Sequence, residues 1–328
     1  MTSNESWDIT TNLGTTALGV AAQRAAETAQ DQPLFRDEFA ALLIAAVDEP
    51  GWQMMASGDP SWMGPEDSDG RRAATSGRDY VASRTVFFDH FLAGAVTAGI
   101  SQVVILAAGL DARCYRLQDL AGVVVYEIDQ PAVLNFKHTV LQSHHALPIA
   151  EMRPVPVDLR EDDWPSTLTS AGFEASAPTA WLVEGLLPYL SSAEQEHLFN
   201  RVLALSAQGS RIALEAYPST THLGQDRITS WRQGAADMRD KLGVAMDVAA
   251  YIKHDDLADT ADWLHRRGWN IEALDSRELM ARLGRPLPDD LIGVLPISSL
   301  ITATLTPAPR QPAHENHRHS AAPADARR

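Results

Sequence analysis

The chain has 328 residues, 45% of them hydrophobic, enough to enclose a large core and, on length alone, to form one to three domains. Its 27 basic residues against 43 acidic ones leave a formal charge of −16, which argues against nucleic acid or an anionic membrane surface as a partner. A single cysteine, Cys114, excludes an intramolecular disulfide and a multi-cysteine metal site, and no run approaches the ~20 apolar residues of a membrane span. The N-terminal MTSNESWDIT lacks the basic region and apolar core of a secretory signal, so a cytoplasmic protein is expected.

Residues 1–98 are expected to form a helical cap with a loop inside it. Ala, Gln, Arg and Glu fill 17–29, and Asp37 to Val47 carries an apolar face. Pro33 and Asp48-Glu49-Pro50-Gly51 punctuate these helices. Between 51 and 79, Gly, Pro, Ser and Asp are interleaved with Trp52, Met54, Met55, Trp62 and Met63. Polar backbone carrying large apolar side chains predicts a mobile loop with something to cover, a lid or substrate wall. Helix resumes from Tyr80 to Ala98.

The core, 99–217, alternates in type. Strands are expected at 102–108, 122–128, 153–157, 179–184 and 210–216, and helices at 131–145, near 164–171 and at 192–206. Pro131 suits a first helical position. Ser191 or Ser192, with Glu194 close behind, offers a cap for 192–206. Such alternation predicts an α/β protein with a mostly parallel sheet and helices on both faces. Residues 218–285 read as helical over 225–243, 254–267 and 276–284, with a candidate strand near 269–274. The apolar, β-branched stretch from Leu291 to Leu305 reads as a closing pair of strands within 286–306, the last antiparallel at the sheet edge. Residues 307–328 cannot bury apolar area and should be a disordered tail. One domain over 1–306 accounts for these elements.

The chemistry concentrates between Gln102 and Pro131. The apolar run from Val103 to Ala108 ends on Gly109, and the turn Gly109-Leu110-Asp111-Ala112-Arg113 follows. A second run, Val123 to Tyr126, ends in Glu127-Ile128-Asp129. A glycine just past a strand permits a sharp turn and close approach of a ligand. An acid about 20 residues further on is where a doubly wound fold places the partner of a ribose diol. One glycine is not the three-glycine dinucleotide fingerprint, so no pyrophosphate cradle is expected.

Ligands of such sheets sit at the carboxyl ends of the strands, and those ends here carry Gly109, Asp111, Glu127, Asp129, Asp158, Leu159 and Glu184. Acids gathered there would repel a polyphosphate and suit a cationic ligand rich in hydroxyl and amine donors. S-adenosylmethionine, with a sulfonium, an ammonium, a ribose diol and an adenine amine, has that character. Glu127 is the first choice for the ribose, with Asp129 beside it on the same face if the strand runs that far. Asp158 is expected to accept from the adenine amine, with Leu159 packing beside it. Gly109 and its neighbours should lie under the methionine part and Glu184 near its ammonium. In an ordinary βαβ unit, by contrast, Asp111 and Arg113 would form a structural ion pair.

Four segments in this order, ILAAGLDARCYRL, VYEIDQP, VPVDLR at 155–160 and WLVEGLLPYL at 181–190, resemble the leucine carboxyl methyltransferase-like family. Within it the likeness is to the bacterial branch of S-adenosyl-L-methionine-dependent methyltransferases, from about Trp7 to about Pro307. The resemblance implies a Rossmann-like class I methyltransferase fold, S-adenosyl-L-methionine as cofactor, O-methylation, and an N-terminal segment over the cofactor pocket. It also matches Arg84, in SRTVFFD, to the arginine that pairs with the cofactor's methionine carboxylate, a bidentate match for a guanidinium. The VDLR stretch at 157–160 corresponds to the family's adenine clamp. No diagnostic acceptor residue matches in 51–79 or 218–285, so the phosphatase C-terminus used by the family's namesake is not implied, and a small-molecule acceptor is expected.

Methyl transfer is an in-line displacement, so alignment of donor and acceptor is the main demand. A carboxylate acceptor is already anionic at neutral pH and needs no base, whereas a phenol or alcohol does. His90, Tyr189, His222 and His254 fall in the right region and none is assigned that role. An NAD-dependent oxidoreductase would need a glycine-rich phosphate turn, which is missing. A non-catalytic S-adenosylmethionine-binding protein would keep the same pocket.

Overall fold

The computed structural model describes residues 9–10, 14–217, 233, 236–237, 239–244, 251–253, 259–292 and 297–306. Seven strands form one sheet: β1 (Gln102–Leu106), β2 (Val124–Asp129), β3 (Glu151–Pro156), β4 (Thr179–Val183), β5 (Arg211–Ala216), β6 (Trp269–Asp275) and β7 (Ser299–Leu305). Their order is β3-β2-β1-β4-β5-β7-β6. β1 to β5 run parallel, and β7 is antiparallel to both β5 and β6. From β1 the chain steps outward to β2 and β3, then returns to β4 on the other side. That reversal opens a crevice at the carboxyl ends of β1 and β4.

Period-2 alternation divides the core between the two faces. Val103, Ile105, Val125 and Leu182 face one layer with Leu18, Leu43, Phe88 and Leu92. Val104, Ile128, Trp181 and Leu214 face the other with Trp164, Phe199 and Trp263. The first layer holds α1 (Gly14–Thr28), α2 (Glu38–Ala45), α3 (Pro50–Ala56) and α4 (Ser68–Thr97). The short α5 (Arg113–Arg116) and α6 (Pro131–Ser143) follow β1 and β2. The second layer holds α7 (Trp164–Ser170), α8 (Ser192–Ala204) and α9 (Thr260–His265), and α10 (Ser276–Arg282) follows β6. Pro131 opens α6, and Ser191 caps α8 in a reciprocal capping box with Glu194.

Three expectations are corrected. The antiparallel strand is not at the edge, because β6 lies outside β7. Second, the strands that β7 pairs with are β5 and the 269–275 segment, the latter from Trp269 opposite Leu305 to Asp275 opposite Ser299, while residues 293–296 lie outside the described residues. The compositions explain the placement. WNIEALD leaves several side chains exposed, as an edge strand does, whereas SLITATL is mostly buried between two neighbours. Third, 51–79 is no loop. Pro50 starts α3, Asp59 caps a 3₁₀ turn over Pro60–Met63, and Asp67 caps α4, which begins well before Tyr80. The Pro, Asp and Ser residues that suggested a loop are helix start signals, and Trp52, Met55 and Met63 pack inward.

The helix expected over 225–243 lies mostly outside the described residues, as do the first turn of 254–267, His222, His254 and the tail 307–328. No helix among the described residues is long and apolar enough to cross a membrane. Because Trp52 is wholly enclosed, Trp52→Ala should lower unfolding free energy by about 3–5 kcal/mol in urea titrations. A change of about 0.5 kcal/mol or less would return the segment to the surface.

Candidate functional site

β1 stops at Leu106 and the chain turns through Ala107, at φ +56°, and Gly109, at φ +49°. Left-handed backbone costs a residue with a Cβ roughly 1–2 kcal/mol, so surrounding contacts must hold Ala107 there. Three side chains from different elements grip the turn. Asp129 Oδ2 accepts from the Gly109 N–H at 2.6 Å, Arg24 Nη2 donates to the Leu110 carbonyl at 2.5 Å, and Lys137 Nζ donates to the Asp111 carbonyl at 3.0 Å. A Cβ at Gly109 would stand 3.4 Å from Ala17 Cβ, so α1 lies directly over the glycine.

The strand-end residues fall in a row. Across β3, β2, β1 and β4 the sheet presents Asp158, Asp129, Gly109 and Glu184 in that order. Asp129 is half-buried at the end of β2, and its Oδ1 takes the Gln130 N–H at 2.7 Å. Burial pushes its pKa up, against the two backbone donors that pull it down. Asp158 accepts the Arg160 N–H at 2.9 Å and pairs with its guanidinium, which lowers the carboxyl pKa. Leu159 is half-buried against the second core layer.

Residues 127 and 129 do share a face, but Glu127 is wholly buried, with Oε2 2.8 Å from Lys137 Nζ and 3.3 Å from His138 Nε2. Two residues back along a strand is roughly 7 Å deeper under the edge. Of the two, Asp129 is the acid at the opening, and Glu127 is enclosed beneath it with Lys137.

Arg84 and Glu184 meet. Arg84, buried on α4, places Nε 2.9 Å from Glu184 Oε1 and Nη1 2.9 Å from Glu215 Oε2. α4 packs mainly on α1 and α10 and also touches β4, β5 and β7. Glu184 Oε2 is 2.9 Å from Arg113 Nη1, and Arg113 also binds Asp89 at 2.7 Å and the Asp111 carboxylate. Asp111 thus makes the structural ion pair with Arg113. Burial alone would raise its pKa, but the charges of Arg113, Arg24 and Lys137 bring it down to about 2.

Several members of this cluster escaped sequence reading. Glu215, at the end of β5, was within reach of the same strand-end rule. Its Oε1 accepts from Tyr217 at 2.9 Å and from Tyr80, whose hydroxyl is also 2.8 Å from Ser298 Oγ. Burial and the Glu215 charge push both tyrosine pKa values up. Lys137 carried no signal, since a basic residue within a helix reads as solvated, and Arg113 was legible only as a partner for Asp111. His90 is exposed, and Tyr189 is tied to Thr16 of the cap, its pKa raised by burial.

This sheet order, a glycine turn after β1 and acids at or just past the ends of β2, β3 and β4 together make the Rossmann-like class I methyltransferase fold. The family model for leucine carboxyl methyltransferase matches residues 17–203, and the chain belongs to that family. It is 52% identical over 305 residues to a protein of Mycolicibacterium paratuberculosis named "Putative S-adenosyl-L-methionine-dependent methyltransferase", covering 93% of this chain and 94% of the relative. A protein of the same name from Mycobacterium tuberculosis is 49% identical over 313 residues, 95% of this chain and 97% of its own. Among solved structures, a DUF574 family protein from Streptomyces avermitilis aligns over 81% of this chain and 94% of its own, with a TM-score of 0.48 and 14% identity.

Folding lowers the Asp111 pKa from 3.8 to about 2. The linked stabilisation, about 2 kcal/mol, is complete above the unfolded value and is lost as pH falls through it toward the folded one. The urea midpoint of the wild type should therefore fall more steeply than that of Asp111→Asn as pH drops from about 5 to about 3. Parallel curves would deny Asp111 its charge interactions.

Proposed function

We propose that this protein transfers the methyl group of S-adenosyl-L-methionine to an oxygen, carboxylate or hydroxyl, of a small molecule. The methyltransferase class and its cofactor come with the family; the acceptor is our reading. The row of Asp158, Asp129, Gly109 and Glu184 along one crevice carries it.

The residues fit the cofactor. Asp129 keeps lone pairs for ribose hydroxyls after taking two backbone N–H groups. Arg160, largely exposed, can leave Asp158 free to accept from an adenine amine. Arg84 and Glu184 form a buried cation–anion pair that an amino-acid zwitterion complements at both ends, carboxylate to guanidinium and ammonium to carboxylate. With one glycine and α1 over it, the turn suits close packing against the methionine part rather than a pyrophosphate.

When bound, the cofactor supplies an electrophilic methyl carbon on sulfonium. The protein's part is alignment and exclusion of water. A carboxylate acceptor would give a rate independent of pH above about 5, whereas a hydroxyl would make it rise with deprotonation. The −16 charge and the unmatched 51–79 and 218–285 regions support a small acceptor rather than a nucleic acid or a protein tail.

By calorimetry, the wild type should bind S-adenosylmethionine with micromolar affinity, roughly −8 kcal/mol. Asp129→Asn and Asp158→Asn should each weaken it about tenfold while unfolding cooperatively. A folded wild type that binds neither S-adenosylmethionine nor S-adenosylhomocysteine would sink the proposal. Binding without turnover on any carboxylate or hydroxyl acceptor would favour a non-catalytic binding protein.

A further inference from the structure

We infer that Lys137, held by Glu127, is a positioning residue that fixes the peptide following Asp111 in the cofactor turn; this rests on the S-adenosylmethionine reading above. Lys137 and Glu127 are both wholly buried, one on α6 and the other on β2. Taking an ammonium out of water costs several kcal/mol, and a buried ion pair is commonly no better for stability than apolar side chains of equal volume. The pair is also incompletely satisfied. Glu127 Oε1 accepts no N–H or O–H hydrogen bond among the described residues, and the Cys114 thiol is its weak neighbour. A part-satisfied buried network is a poor way to stabilise a core.

What the pair does is aim a donor. With Nζ anchored 2.8 Å from Glu127 Oε2, the same ammonium donates to the Asp111 carbonyl at 3.0 Å. A trans peptide sets C=O and N–H in opposite directions, so drawing that carbonyl toward Lys137 fixes the orientation of the whole amide. Together with Asp129 on the Gly109 N–H and Arg24 on the Leu110 carbonyl, Lys137 completes a set of three grips on successive residues of the turn. The turn is thereby held in its ligand-ready shape before any ligand arrives, which removes ordering cost from binding.

The test replaces both charges without leaving one unpaired. The double variant E127Q/K137M should unfold cooperatively, yet bind S-adenosylmethionine about tenfold more weakly, a change of ~1.4 kcal/mol. Wild-type affinity in the folded double variant would make the pair merely structural and overturn the inference. Glu127→Gln alone keeps an oxygen for Lys137 and should lose less than the double variant, whereas a direct ribose ligand would lose as much. Hydrogen exchange of the wild type needs no variant. Amides of 109–113 should exchange slowly without ligand, and fast exchange that slows only on adding S-adenosylmethionine would refute a preset turn. Failure of the cofactor reading itself would show separately, as no binding by the wild type.

Discussion

Glu184 sits just past the end of β4 and divides its two oxygens between Arg84 of α4 and Arg113 of the glycine turn, each at 2.9 Å. Through Arg84 it is joined to Glu215 at the end of β5, and through Arg113 to Asp111 and Asp89. Exposed ion pairs contribute about 0–1 kcal/mol, but removing one member of a buried set leaves an uncompensated charge at about 3–5 kcal/mol. The alternating chain therefore fixes the cap helix, the turn and two strand ends relative to one another. It does so around the crevice rather than in the apolar core, where packing alone would suffice.

The sheet provides the frame for that arrangement. β1 and β4 are neighbours although the chain between them visits β2 and β3, so their carboxyl ends diverge into separate connections and leave a gap. Residues from four adjacent strands reach the gap at nearly one level, since Leu106 is opposite Ile128, Asp129 is opposite Pro156 and Ile105 is opposite Leu182. The cap closes the other side, with Ala17 above Gly109, Arg24 on the turn, and Thr16 bonded to Tyr189 beyond β4.

Most of the core was legible because its strands are short apolar runs separated by polar turns, and alternation assigned their faces. The 51–79 segment was not, because Pro, Asp, Ser and Gly mark helix starts and loops alike, and burial of Trp52 decides between them only in three dimensions. In the site, periodicity correctly put Glu127 and Asp129 on one face but says nothing of depth along a strand. Lys137 shows the opposite blindness: a lysine in VLNFKHTV reads as surface, and only tertiary structure shows it wholly enclosed against a glutamate. Asp111 and Arg113 illustrate a third limit, since adjacency in sequence fits a ligand role and a structural pair equally well.

Ala107 gives the turn a further property. With its methyl group, alanine in the left-handed region samples far fewer backbone states than glycine would. A glycine there would relieve the strain while restoring freedom to the unfolded chain and to any partly open form of the turn. The alanine works like a ratchet tooth: strained in the seated position, yet with few alternatives to fall into. Sequence drift at this position would be expected to trade rigidity against strain rather than to alter which ligand groups the crevice can meet.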